Sequence, residues 1–401
     1  MFKPTSRFSY LVFTFAFFVN ISCKAYGDLL VVSELPDQTF RDSSAVAAHG
    51  NVIYVSGDGV VAVDISNPVK PEVIMTLYHP ILKKCGGLFA YSSTRNGEKR
   101  LALACGGTDA LVLVDAQNPR LLKTIGLISD PFLLNSASGV VVKSNLAFIA
   151  AAGAARVVSI DITQETEPSI LSSVRLSASS SLALQGDSCL VVGSGQGNRV
   201  SLLTFTPTGV LLKTGSVKDG RLSGSISIVK QFATEPNITI AVTAANDGTF
   251  IVLNTTTLFQ PVIISSIEAK DWATVQRTRN MSDKHANNRL TSFTDAGGAP
   301  YGHDVLRGVV GLELVGKSLA YVARSSGGIA AIDISVPSQP SIKWDFTDDR
   351  LFGVIGVSKV GSSMVTSQTA DSILLVVVTT SSIVVVQDAV RSLMSSKLSE
   401  L

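Results

Sequence analysis

The feature that most constrains this chain is an internal repeat. Asn51 to Ile74 reads NVIYVSGDGVVAVDISNPVKPEVI, and Ser318 to Ile342 reads SLAYVARSSGGIAAIDISVPSQPSI. Each gives an apolar run, a Gly turn, a second run ending in Asp-Ile-Ser, a Pro-containing turn and a third run. The frame recurs at Asn145 to Ile170 and at Arg100 to Ile125. Degenerate copies start at Ser188 and at Ile238, and a partial copy spans Ile373 to Gln387. The Asp that ends the second run falls at Asp64, Asp115, Asp161 and Asp333. One more apolar run precedes each copy, at Ala45–Ala48, Leu88–Tyr91, Gly139–Val142, Ser181–Leu184, Ile226–Val229, Val309–Val315 and Val354–Val360.

A unit is therefore four short strands, repeated roughly every 45 residues. Tandem immunoglobulin-like sandwiches would need about 100 residues and seven strands per domain. The period instead predicts an all-β fold: a single β-propeller of seven four-stranded blades. The composition, 46% hydrophobic and only 16% charged, suits sheets buried on both faces. The seventh unit offers only three strands. Leu29 to Leu35, LLVVSEL, is an orphan strand at the other end. It is expected to pair with Ser382–Gln387 and complete the last blade, which removes a sheet edge that would otherwise template aggregation. The expected organisation is a propeller over residues 26–390, an insertion at 268–307 that interrupts the period, and a polar tail at 391–401.

The segments VVAVDISNPVKPEV (Val60 to Val73) and IAAIDISVPSQPSI (Ile329 to Ile342) resemble the LVIVD repeat. The resemblance is good in units one, two, three and six. It is poor in units four, five and seven, where for instance Thr204–Phe205–Thr206 and Leu253–Asn254–Thr255 replace the Val-Asp-Ile core. It implies a secreted or surface β-propeller with an adhesion-type role, and no enzymatic residues to carry over. The recurring Asp has a simpler chemistry. At a strand end, before Ser or Thr, its carboxylate accepts backbone N–H groups in an Asx turn.

The N-terminus reads as a secretory signal peptide over residues 1–25. Lys3 and Arg7 form a positive start, Tyr10 to Val19 an apolar run, and Cys23 and Ala25 the small residues of a cleavage site. The run is short for a membrane span of about 20 residues. Lipid attachment at Cys23 is the weaker alternative, because Asn20 stands where a lipobox carries Leu. The later apolar stretch Ile373–Val386 is broken by Thr379–Ser382, so no membrane span is expected after cleavage. The product is expected to be secreted or held at the cell surface, as a monomeric ring. Beyond the signal, Cys85, Cys105 and Cys189 remain. A Cys85–Cys105 disulfide and three buried thiols are both open readings. Sequons stand at Asn237, Asn254 and Asn280.

A net charge of +2 gives no electrostatic argument for nucleic acid. The four histidines, His49, His79, His285 and His303, form no close metal-binding pair, and no CxxC or GxSxG occurs. No metal, cofactor or catalytic residue is assigned. The candidate binding residues lie on loops that lead into the first strand of a blade and in the insertion: Asp42, Trp272, Arg277, Arg279, Tyr301, His303, Asp304, Arg307 and Arg350. Arg and aromatic side chains together are enriched in interfaces, and long irregular insertions are often functional. The expected function is an exported binding or scaffold module with an unknown protein or surface ligand as partner. The alternative is a secreted propeller enzyme: an oxidoreductase, or a metal-dependent, lactonase-like hydrolase that would draw on Asp42, Asn135 and Asp304.

Overall fold

The computed structural model describes residues 29–388, apart from 178, 195–196, 223–225, 234–237, 245–247, 269–305, 307, 316–317 and 361–372. These residues form seven four-stranded antiparallel sheets. Blade one comprises Ala45–His49, Val52–Ser56, Val60–Asp64 and Glu72–Leu77. Blades two to six repeat the pattern, starting at Cys85, Ala137, Ser179, Ile226 and Val309. The first strand of each blade packs against the first strand of the next, and the first strand of blade seven (Val354–Lys359) returns to that of blade one. The array is thus a closed ring, a β-propeller.

Closure follows the expectation. Leu29–Pro36 is the fourth strand of blade seven and pairs antiparallel with Ser382–Asp388, Leu30 facing Gln387 and Leu35 facing Ile383. The first and last described strands therefore share one sheet. The insertion expected from residue 268 begins one residue later in the fold, because Glu268 still pairs with Thr249. Near its end Leu306 is buried in the core between blades five and six. The final strand ends at Asp388, and the tail lies outside the described residues.

Alternation along each strand explains how the ring holds together. Seven hydrophobic clusters are present among the described residues, and each lies between two neighbouring blades. In the third strand of blade one, Val60 and Ala62 join the cluster shared with blade two, while Val61 and Val63 join the one shared with blade seven. In blade two, Leu111 and Leu113 face blade three while Val112 and Val114 face blade one. Successive side chains of a strand point to opposite faces, and here both faces are core. This is why the strands read as near-continuous apolar runs.

Near the axis the first strands approach closely. A Cβ on Gly87 would lie 2.9 Å from the Gly139 Cα of the next blade, and one on Gly356 would lie 2.7 Å from Val46. Only glycine permits that approach without displacement.

The closing ladder gives a direct test. A chain starting at residue 37 leaves the Ser382–Asp388 strand as an open edge. It is expected to self-associate in size-exclusion chromatography, where the full chain runs as a monomer. A monomeric, equally stable truncated chain would contradict the role assigned to Leu29–Pro36.

Candidate functional site

The strand order sorts the connections onto two ends of the ring. Turns between second and third strands, and loops from a fourth strand into the next blade, lie at one end, here called the upper face. Turns between first and second strands, and between third and fourth, lie at the lower face.

The lower face carries the recurring Asp residues, and the Asx-turn reading holds there. Asp64 Oδ1 accepts the Ser66 backbone N–H at 2.8 Å and the Ser66 hydroxyl at 2.6 Å. Asp161 does the same with Thr163, and Asp115 and Asp333 accept from Gln117 and Ser335. In blade five Asn254 replaces Asp and still accepts from Thr256 at 2.9 Å. The carboxylates are consumed in turns on separate blades, so they build no shared centre.

The upper-face loops are stiffened in a common way. Asp37, Asp130, Asp219 and Asp348 each accept the backbone N–H two residues on, at 2.8 to 3.0 Å. His79 fills this place with its Nδ1, which accepts from Ile81 N–H at 3.3 Å. A fully buried apolar residue follows in each loop: Phe40, Leu82, Leu134, Leu222 and Leu351. The cap fixes the turn and the apolar residue pins it to the core. Two loops are further locked to the preceding blade. Asp58 accepts from Lys84 N–H at 2.8 Å and Asp109 from Ser136 N–H at 2.9 Å, where Lys84 and Ser136 have φ of 49° and 52°.

The candidate residues meet different fates. Asp42 is exposed on the loop into blade one, and its backbone carbonyl crowds Gly57. Arg350 lies on the adjacent loop into blade seven. Its guanidinium binds Asp348 through two bonds, Nε to Oδ1 at 2.8 Å and Nη2 to Oδ2 at 2.7 Å. That contact holds the Asp348 carboxyl below the usual range. Arg221 binds Asp219 in the same fork and lowers its carboxyl to about 2. Arg350 is therefore part of a turn's own architecture. Trp272, Arg277, Arg279, Tyr301, His303, Asp304 and Arg307 lie outside the described residues. Of the lactonase-like set, Asn135 sits under the next turn, where a Cβ on Gly153 would lie 1.9 Å from its Oδ1. Among the described residues no group of three or more His, Cys, Asp and Glu side chains is placed to hold a metal ion.

Three upper-face side chains escaped the sequence reading. Phe132 is 83% exposed, Phe352 72% and Tyr78 67%. Each adjoins a capped turn: Phe132 and Phe352 two and four residues after the capping Asp, Tyr78 immediately before His79. Aromatics inside a turn that already has its buried anchor were the available signal. A shallow open pocket lined by Asp58, Tyr78, His79, Pro80, Leu82 and Lys83 lies beside one of them.

A second missed feature is Arg100, buried between blades two and three at the lower face. Its guanidinium donates to Glu165 and Asp115 at 2.8 Å each and also binds Glu98. Tyr91 donates to the other Glu165 oxygen at 3.3 Å, and its hydroxyl is held protonated by burial and by that carboxylate. Glu165 comes from the next blade, so the group acts as an inter-blade clasp. The Cys85–Cys105 disulfide, left open by the sequence, is formed and joins the first two strands of blade two across a register pair. Cys189 is buried and free, with its thiol pushed up to about 11 by desolvation, which keeps it an unreactive thiol.

The fold and its inter-blade locks define a β-propeller protein of the repeat type. The LVIVD repeat matches at residues 40–77 and 315–348, within units one and six, so the propeller carries two segments similar to that repeat. No curated protein matches the sequence. Among solved structures, one described as the structure of U3-55K aligns with TM-score 0.60 and 11% identity, over 89% of this chain and 98% of that one. A functionally unknown protein from Desulfotomaculum acetoxidans DSM 771 aligns with TM-score 0.55 and 12% identity, over 80% and 96%. At these identities the likeness concerns the fold.

Two outcomes follow. Arg100→Ala leaves three partly exposed carboxylates without their shared cation and is expected to lower unfolding free energy by about 1.5–3 kcal/mol in urea denaturation. Asp348→Asn should cost stability at pH 7 but not at pH 2. The folded carboxyl lies below its unfolded value, so its advantage exists above the unfolded value and is lost as pH falls through the folded one. Equal losses at both pH values would mean the ion pair contributes nothing.

Proposed function

We propose that this chain is an exported binding module of the cell surface or extracellular space, which engages a partner through its upper face. The observation that carries this reading is the set of exposed aromatics, Tyr78, Phe132 and Phe352, on loops stiffened by capped turns. Rigid loops present large side chains at low entropic cost, and buried aromatic anchors dominate interface energetics. The three loops lead into blades two, three and seven, and the loop into blade one between them presents exposed Arg41 and Asp42. The insertion at 269–305 belongs to the same class of connection, since it joins the fourth strand of blade five to the first of blade six. Its Trp272, Arg277, Arg279, Tyr301, His303 and Asp304, with Arg307 just beyond it, are assigned to the same partner-binding role. The Cys85–Cys105 disulfide supports an oxidising compartment, in keeping with a cleaved signal at 1–25.

The test uses purified mature protein and the envelope fraction of the source cells. Tyr78→Ser, Phe132→Ser and Phe352→Ser combined should lower retention at least about tenfold, with the melting temperature unchanged because exposed positions contribute little to stability. Unchanged retention would remove the upper face from the reading. Stoichiometric calcium or zinc in the purified protein would instead favour the hydrolase alternative.

A further inference from the structure

One upper-face loop is fixed from both sides. Residues 78–84 lead into blade two and lie between the second-to-third-strand turns of blades one and two. On the blade-one side, Asp58 Oδ1 accepts the Lys84 N–H at 2.8 Å and the Gly57 carbonyl accepts the Cys85 N–H at 3.0 Å. On the blade-two side, Thr108 Oγ1 donates to the Ile81 carbonyl at 2.8 Å. Gly106 and Gly107 N–H donate to the Lys84 and Lys83 carbonyls at 3.0 Å each. The Cys85–Cys105 disulfide ties the end of the loop to the end of the second strand of blade two, beside the same turn. Lys84 is held at φ 49°, in the left-handed region that a lysine adopts only where its surroundings impose it. The loop is therefore ordered before any ligand arrives, which lowers the cost of binding.

This loop and Asp58 line a pocket of about 330 Å³, at the lower end of the range for small-molecule sites. Tyr78 is 67% exposed. Its ring rests along Gly59, where a Cβ would lie 3.2 Å from Cδ1 and 3.4 Å from Cε1. His79 Nδ1 is occupied in accepting the Ile81 N–H, so the neutral imidazole carries its hydrogen on Nε2 and can donate there. Asp58 Oδ1 is occupied by Lys84, and Oδ2 accepts from no group among the described residues. Lys83 is exposed and forms no ion pair among the described residues.

These groups select by exclusion. A charged ligand of either sign gains from one of Asp58 and Lys83 and is opposed by the other. An apolar ligand leaves the carboxylate, the imidazole and the ammonium unpaired, at a cost. A neutral ring with hydroxyls at its edge and C–H groups on its face satisfies every group. One hydroxyl donates to Asp58 Oδ2, others accept from His79 Nε2–H and Lys83, and the C–H face meets the electron-rich face of Tyr78. Those are the properties of a pyranose. We propose that the Tyr78 pocket binds one sugar residue of a cell-surface or extracellular polysaccharide. This rests on the upper-face reading above and names the chemistry of its partner.

The test uses the purified mature protein and the methyl glycosides of glucose, galactose, mannose and N-acetylglucosamine, read by saturation-transfer NMR. At least one glycoside is expected to receive saturation on the hydrogens of one ring face. Asp58→Asn keeps the bond from Lys84 N–H through Oδ1 and turns the Oδ2 position into a donor. It and Tyr78→Ser are each expected to weaken binding by about tenfold, with the melting temperature unchanged. In the envelope assay, periodate oxidation of the envelope, which cleaves sugar diols, should lower retention, and proteinase digestion should not. No saturation of any of the four glycosides would overturn the proposal, as would saturation unchanged by Tyr78→Ser. Retention lost to proteinase and indifferent to periodate would overturn it in favour of a protein partner. The upper-face reading stands or falls separately, on whether the triple serine variant loses retention.

Discussion

Every sheet of this molecule buries both faces, and that one constraint governs the rest. A sheet covered on both sides needs a neighbour on each side. A finite row of such sheets always leaves two faces exposed, and only a ring leaves none. Removal of apolar surface from water, at about 25 cal/mol per Å², therefore favours closure as strongly as it favours any single blade contact. Closure in turn depends on the ladder between Leu29–Pro36 and Ser382–Asp388. The segments farthest apart in sequence make the one sheet that no local stretch of chain can make.

Much of this was legible in residues. The repeat frame, Leu29–Leu35 as the missing strand, and the Asx role of Asp64, Asp115, Asp161 and Asp333 all depend on local pattern. Strand periodicity and turn chemistry are local, so a sequence displays them. The upper face was less legible. Asp219–Arg221 and Asp348–Arg350 look like free charges in sequence, yet each pair closes on itself in a capped turn. Tyr78, Phe132 and Phe352 look like core and are exposed. Exposure of an aromatic is decided by which neighbouring residue takes the buried slot, here Leu82, Leu134 and Leu351. That competition is settled in three dimensions. The Arg100 clasp escaped for the same reason, since Glu165 reaches it from another blade.

The polar groups of the two faces have opposite assignments. On the lower face, Asp, Ser and Thr side chains satisfy backbone groups in the turns between third and fourth strands, and Arg100 neutralises carboxylates gathered there from two blades. On the upper face the capping carboxylates free neighbouring side chains to project outward. The repeat supplies a stiff frame, and the loops vary upon it.

The pairing of Leu29 with Asp388 also sets a direction. Leu29 and Asp388 stand side by side at the lower face, at the foot of blade seven. A tether at either end, whether a lipid, a linker or a neighbouring domain, would hold the ring by its base and turn Tyr78, Phe132 and Phe352 away from the point of attachment. The closing strand thus decides which face of the ring carries the ends of the closing sheet and which carries the exposed aromatics.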